Sequence, residues 1–169
     1  MKAILKETWL DTPLGSMIAI ADDKALYLLE FVERRGLERE IERLRIKTKS
    51  AIIPGRTMPI DSIDKELQLY FTGNLQQFTT PILLLGSLFQ KLVWEELQKI
   101  PYGKTYSYAD LAKNIGKQTA YRAVANANGN NQIAIVIPCH RVINTNGGLG
   151  GYAGGIDRKK WLIDHEKQY

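Results

Sequence analysis

The apolar residues of this chain change their spacing part-way along it, from the two-residue alternation of paired strands to the three-to-four-residue interval of helices. That change dictates a different kind of structure for each half. Ala3 to Trp9, Met17 to Ala21 and Ala25 to Val32 alternate as strands, punctuated by Pro13, Gly15 and the Asp22-Asp23 pair. Arg34 to Lys47 is densely charged, with Leu37, Ile41 and Leu44 at helical spacing, and Asp61 to Phe71 repeats the helical pattern before Gly73 stops it. Thr79 to Gly86 reads as a linker. Beyond it the pattern is mostly helical: Ser87 or Leu88 to Lys99, then a short helix opened by Ser107, then Gln118 to Asn128. The expected organisation is an α/β (α+β) chain, with a small strand-rich domain over residues 1–80 and a mostly helical one over residues 86–169.

The chain has 169 residues, enough for one core or two small ones, and no apolar run approaches the roughly 20 residues that span a bilayer. With no signal-peptide pattern at the N-terminus, a soluble protein of the cytoplasm or nucleoid is expected. One cysteine excludes an internal disulfide, and with two histidines it is too few for a typical structural zinc site, so neither metal nor cofactor is expected. The net charge of +5 is unevenly placed: residues 1 to 85 carry twelve Lys and Arg against twelve Asp and Glu, and residues 86 to 169 carry eleven against six. A localised positive excess suits a polyanion such as nucleic acid.

The helical half contains two short helices joined by a turn at Asn114 to Lys117, a helix-turn-helix pattern. Ser107 with Asp110 has the form of an N-cap. The second helix is unusually bare: Ala120, Ala123, Ala125 and Ala127 surround one long cation, Arg122. A helix reading the major groove needs several long polar side chains, whereas small residues allow close approach, which favours the narrow minor groove. Further on, Ile137 to Ile143 reads I-P-C-H-R-V-I and contains the only cysteine, Cys139. The apolar run Ile133 to Ile137 reads as a strand, delivering a nucleophile and the adjacent His140 at its end. Near neutral pH only a few per cent of an ordinary thiol, with a pKa of about 8.5, is thiolate, so a reactive Cys139 needs a base. Three uses fit these residues: alkyl acceptor, cysteine hydrolase with Cys139, His140 and Glu166, and DNA-binding regulator with an inert or sensing thiol.

The I-P-C-H-R-V-I stretch, the preceding A-Y-R-A-V-A-N-A-N, the S-Y-A-D-L-A opening and the G-G-Y-A-G-G loop together resemble the O6-alkylguanine-DNA alkyltransferases. The similarity covers essentially all of residues 86 to 169. It implies a small ribonuclease-H-like N-terminal domain and a C-terminal domain with a winged-helix-like helix-turn-helix. It further implies a monomer acting on double-stranded DNA that contains O6-alkylguanine, with single-turnover transfer of the alkyl group to Cys139. On this resemblance His140 and Glu166 form, with a water, the relay that deprotonates Cys139. Tyr108 protonates the departing guanine, and Asn131 braces the turn around the active site. Arg122 fills the gap left by a flipped nucleotide, with Ala120, Tyr121, Ala123 and Ala127 on the DNA-binding helix. Tyr152, Ala153 and Gly154, with Val142, wall the guanine pocket. His165 could also approach the cysteine but is expected to face solvent. The sequence departs from the family pattern at Tyr121, where a small residue is usual, and at Gln132, where proline is common. It also has no residues for the zinc site that some relatives carry in the N-terminal domain.

Overall fold

The computed structural model describes residues 3–169, which form two compact units, one ending at Leu83 and the other comprising Leu84–Tyr169. The first is built on a four-stranded sheet of order β3-β2-β1-β4, with β1 Ala3–Leu10, β2 Met17–Ala21, β3 Leu26–Phe31 and β4 Ser50–Pro54. The first three strands form an antiparallel meander with Leu10 opposite Met17 and Met17 opposite Phe31. β4 runs parallel to β1, beginning with Ser50 opposite Ala3. It is an edge strand ending in Pro54, a residue that an edge tolerates because it has no N–H to give to a further neighbour.

Helix α1, Leu37–Thr48, begins three residues later than its charge pattern suggests. Gly36 precedes it with φ 77, and Arg34 stays outside the helix, tied to Glu30 of β3 and Glu40 of α1. Helix α2, Met58–Phe71, buries Ile60, Ile63, Leu67 and Tyr70. At 25 cal/mol per Å², fully burying each aliphatic side chain contributes about 1.5–3 kcal/mol before entropy is subtracted. The expected linker is partly docked on this unit. Glu66 of α2 accepts from the backbone N–H groups of Thr79 and Thr80, both at 2.8 Å, and Leu83 N–H donates to Leu26 at 2.9 Å.

In the second unit, α3 spans Leu88–Leu97 and opens with a capping box between Ser87 and Gln90. Val93, Trp94 and Leu97 face inward, and the Trp94 indole N–H reaches the Ala127 carbonyl at 2.9 Å. Strand β5, Tyr106–Ser107, leads into α4, Tyr108–Asn114, where Ser107 is the N-cap and forms a second capping box with Asp110. Gly116, at φ 71, turns the chain into a 3-10 turn over Gln118–Ala120 and then α5, Tyr121–Gly129. A 3-10 turn over Cys139–Arg141 precedes β6, Val142–Ile143, and α6, Ile156–Gln168, closes the chain. No described helix is long and apolar enough to cross a membrane.

Candidate active site

The run Ile133 to Ile137 is not the expected strand. It folds into turns, with Val136 N–H on the Ala134 carbonyl at 2.8 Å and Ile137 N–H on the Ile133 carbonyl at 3.0 Å. Asn131 imposes this bend by bracketing it: its Oδ1 accepts from Ile133 N–H at 3.0 Å, and its Nδ2 donates to the Ile137 carbonyl at 2.8 Å. The tight path holds Ile135 at φ 71, a left-handed conformation that costs a β-branched residue on the order of 1–3 kcal/mol. Such strain persists only where the surroundings over-determine it, and Ile135 is 1 % exposed.

This bend delivers Cys139 to the start of a 3-10 turn, 7 % exposed. Asn131 Nδ2 also donates to Cys139 Sγ at 3.2 Å. A donor on sulfur favours thiolate over thiol. The adjacent His140 is fully buried and points elsewhere, its Nε2 lying 2.7 Å from Glu166 Oε2. Because a carboxylate accepts at Nε2, that nitrogen carries the proton, and Nδ1 is left as the acceptor. Nδ1 is buried with no protein hydrogen-bond partner among the described residues.

Arg141 completes the arrangement. Its Nε and a terminal nitrogen donate to the two Glu166 oxygens at 2.7 and 3.1 Å, while its other terminal nitrogen caps the Ile100 carbonyl at 2.8 Å. Burial pushes the Glu166 carboxyl up, but hydrogen bonds and charge from His140 and Arg141 outweigh it and hold the group at about 2. Burial pulls the His140 imidazole below its usual range, and the Arg141 and Lys159 cations add to this against the opposing pull of Glu166. At neutral pH the pair is therefore a carboxylate beside a neutral imidazole. Gly103, at φ 79, lets the loop before β5 approach this helix: a Cβ there would lie 3.1 Å from the Glu166 carbonyl.

Parallel pairing of β5 with β6 places Tyr106 opposite Val142 and Ser107 opposite Ile143, and so carries Tyr108 towards the cysteine. Tyr108 is 6 % exposed. Burial and the negative charge of a Cys139 thiolate raise its pKa, so it stays protonated. Gly150, at φ 72, allows the following loop to close on this ring, since a Cβ would sit 3.3 Å from a Tyr108 ring carbon. In the same loop Tyr152 is half-buried, Ala153 exposed and Gly154 buried, and Val142 is fully buried at the start of β6.

The family model of the 6-O-methylguanine DNA methyltransferase DNA binding domain matches residues 88–168. The methylated-DNA–protein-cysteine methyltransferase of Shigella flexneri is 41 % identical over 171 aligned residues, covering 96 % of this chain and 95 % of that protein. The enzyme of the same name from Methanosarcina acetivorans is 36 % identical over 92 % of this chain and 94 % of its own length. The chain belongs to the methylated-DNA–protein-cysteine methyltransferase family. The crystal structure of Mycobacterium tuberculosis O6-methylguanine methyltransferase superposes with a TM-score of 0.82 at 38 % identity, covering 97 % of this chain and 93 % of that one. A structure of the M. tuberculosis protein in complex with DNA superposes with a TM-score of 0.82 at 37 % identity, covering 98 % of this chain and 94 % of that one.

The helix expected to meet DNA in this methyltransferase family member needs one correction. Tyr121, Arg122 and Ala123 are exposed and Ala120 partly so, but Ala127 is 2 % exposed. It lies with Val124 and Asn128 on the inner side, where helical periodicity turns it towards α3, so its side chain offers no surface to DNA. His165 is also not at the solvent: it is 6 % exposed and stacks on Trp161, ring centroids 4.8 Å apart.

Lys159 is the site residue with the weakest sequence signal, since Arg158-Lys159-Lys160 looks like a solvated run. It is fully buried, donating to the Val142 carbonyl at 2.6 Å and the Gly151 carbonyl at 3.0 Å, with its ammonium 5.9 Å from the Tyr108 ring centroid. Burial pulls it down to about 8, while charge on Cys139 opposes that shift. Its position seven residues before Glu166 on α6 puts both on one helix face, the one cue available in the sequence. Among the described residues no group of His, Cys, Asp or Glu side chains could hold a metal ion.

Proposed function

We propose that this protein repairs DNA by transferring an alkyl group from the O6 atom of guanine to Cys139, once per chain. The observation that carries this reading is a buried thiol hydrogen-bonded by Asn131 and followed by a neutral histidine whose second nitrogen is held by an ionised Glu166. The thiol proton passes through a bridging water to His140 Nδ1, and Glu166 stabilises the imidazolium that forms. Asn131 N–H and the Lys159 charge stabilise the thiolate. Sulfur then attacks the alkyl carbon, a C–S bond forms as the C–O bond breaks, and the electron pair leaves with the guanine. Tyr108 protonates that leaving base, and its raised pKa keeps the proton in place until charge develops on the guanine. A thioether has no carbonyl for water to attack, so the protein is not regenerated, which separates it from a cysteine hydrolase.

The substrate atom is buried in the duplex, so the nucleotide must be rotated out at a cost of a few kcal/mol. Arg122, exposed on α5 between Tyr121 and Ala123, enters the vacated space from the minor groove, while exposed Lys113 and Lys117 contribute phosphate contacts that carry little sequence information. The likeness to a relative solved in complex with DNA supports this placement.

Arg122→Ala tests the assignment. Repair of duplex O6-methylguanine is expected to slow by roughly 10- to 100-fold, the kinetic equivalent of losing part of the extrusion energy. Reaction with the free base O6-benzylguanine, which needs no extrusion, is expected to stay near the parent rate. Equal losses on both would place Arg122 in the chemistry or in stability instead.

Alkylation is also expected to destabilise the protein. Cys139 is 7 % exposed with Asn131 against its sulfur, and a new methyl there overpacks the site at a cost of about 1–3 kcal/mol. The thioether also can no longer form the thiolate that Asn131 and Lys159 stabilise. Thermal melts of free, methylated and benzylated protein should show falling midpoints in that order, and an unchanged or raised midpoint after full modification contradicts the expectation.

A further inference from the structure

Tyr121 stands beside the arginine expected to face DNA, and its surroundings give it work that a small residue cannot do. It is the first residue of α5, 42 % exposed, on a stretch where Ala120 and Ala123 leave the helix surface low. Its ring meets Tyr108 edge to face, centroids 6.1 Å apart and planes at 76°. Tyr108 in turn is buried beside Cys139 and Lys159. Tyr121 thus joins the interior of the site to the exposed surface that carries Arg122, Lys113 and Lys117.

An exposed aromatic ring on a basic surface is the usual way a protein gives unpaired bases a sequence-tolerant partner. Edge packing on Tyr108 fixes the Tyr121 ring, so little side-chain entropy remains to be lost when a base stacks on it. We propose that Tyr121 is a positioning residue at the mouth of the alkyl-acceptor site, presenting its open ring face to an unstacked nucleobase of the DNA strand. Resting on the alkyl-transfer reading above, this makes Tyr121 a second contributor to nucleotide extrusion beside Arg122. The ring, not its hydroxyl, is the working part. Because the contact is made by DNA and not by the alkylated base inside the pocket, it favours nucleotide substrates over free bases.

The test compares Tyr121→Ala and Tyr121→Phe with the parent protein in two assays. The first is fluorescence anisotropy titration of a labelled single-stranded oligonucleotide, which needs no chemistry. Tyr121→Ala is expected to weaken binding by about 5- to 100-fold, the range that loss of one base–aromatic stack produces, and Tyr121→Phe to restore it. The second is the rate of transfer from duplex O6-methylguanine and from free O6-benzylguanine. Tyr121→Ala is expected to slow the first by a similar factor and the second much less. Parallel loss on both substrates, with DNA affinity intact, would show that Tyr121 only props Tyr108 and would overturn the inference. Unchanged binding and rates would overturn it equally. If the parent protein bound DNA through Tyr121 yet transferred no alkyl group, the functional reading would fail while this contact stood.

Discussion

Cys139→Ala is expected to take up no alkyl group from any substrate and to bind DNA as the parent protein does. The thiol is the only one in the chain, so no second sulfur can accept the group. Its removal costs little elsewhere, because the cysteine is buried and the cations expected to meet phosphate, Arg122, Lys113 and Lys117, are exposed on other elements. Radiolabel transfer and a DNA titration, run side by side, check the two halves of this expectation. Residual label on the variant would place the acceptor on another residue, and lost DNA affinity would make Cys139 part of the binding surface.

Glu166→Ala is expected to be the most damaging substitution for stability. One carboxylate receives His140 and two nitrogens of Arg141, all buried, and its loss leaves a guanidinium and an imidazole unpaired in the interior. Breaking such a buried pair by deleting one partner costs about 3–5 kcal/mol. The rate of transfer falls with it, since an imidazolium at His140 is no longer stabilised. Glu166→Gln keeps the shape and one acceptor, so it should fold better than the alanine variant yet still react slowly, which separates the electrostatic role from the packing one. Denaturant unfolding together with single-turnover kinetics reads both effects.

The same network contributes to the acid sensitivity. Glu166 is held at about 2, below its ordinary 4.5, so its contribution is fully present above about 4.5 and is lost as the pH falls towards 2. His140 is lowered from 6.5 by burial, so the unfolded chain binds that proton more readily, and stability already begins to decline as the pH drops below about 6.5.

Residues whose roles depend on local order were legible in the sequence. The strand at Met17–Ala21, though buried on both faces and not alternating, the Ser107 cap with its Asp110 partner, and the placement of Cys139 and His140 on one short segment all follow from residue type and the turn residues around them. Glu166 was reachable through the family resemblance, and it does meet His140. What escaped depends on particular side-chain and pairing contacts that residue pattern alone does not show. Ile133 to Ile137 has the composition of a strand, but the single side chain of Asn131 bends it. β4 is five residues ending in proline and gains its identity only from pairing with β1. Lys159 hides in a basic run because its burial comes from two carbonyls, at Val142 and Gly151, that the chain order does not reveal. Ala127 looks like its neighbouring alanines until the position of Trp94 is known.

The central claim is that Cys139 accepts one alkyl group and is spent. Intact-mass spectrometry after incubation with excess duplex O6-methylguanine DNA measures this directly. The expected result is a gain of one methyl group per chain, mapped by peptide analysis to Cys139 and unchanged by longer incubation or more substrate. Repair continuing beyond one equivalent per chain, or a methyl group on any other residue, would contradict it.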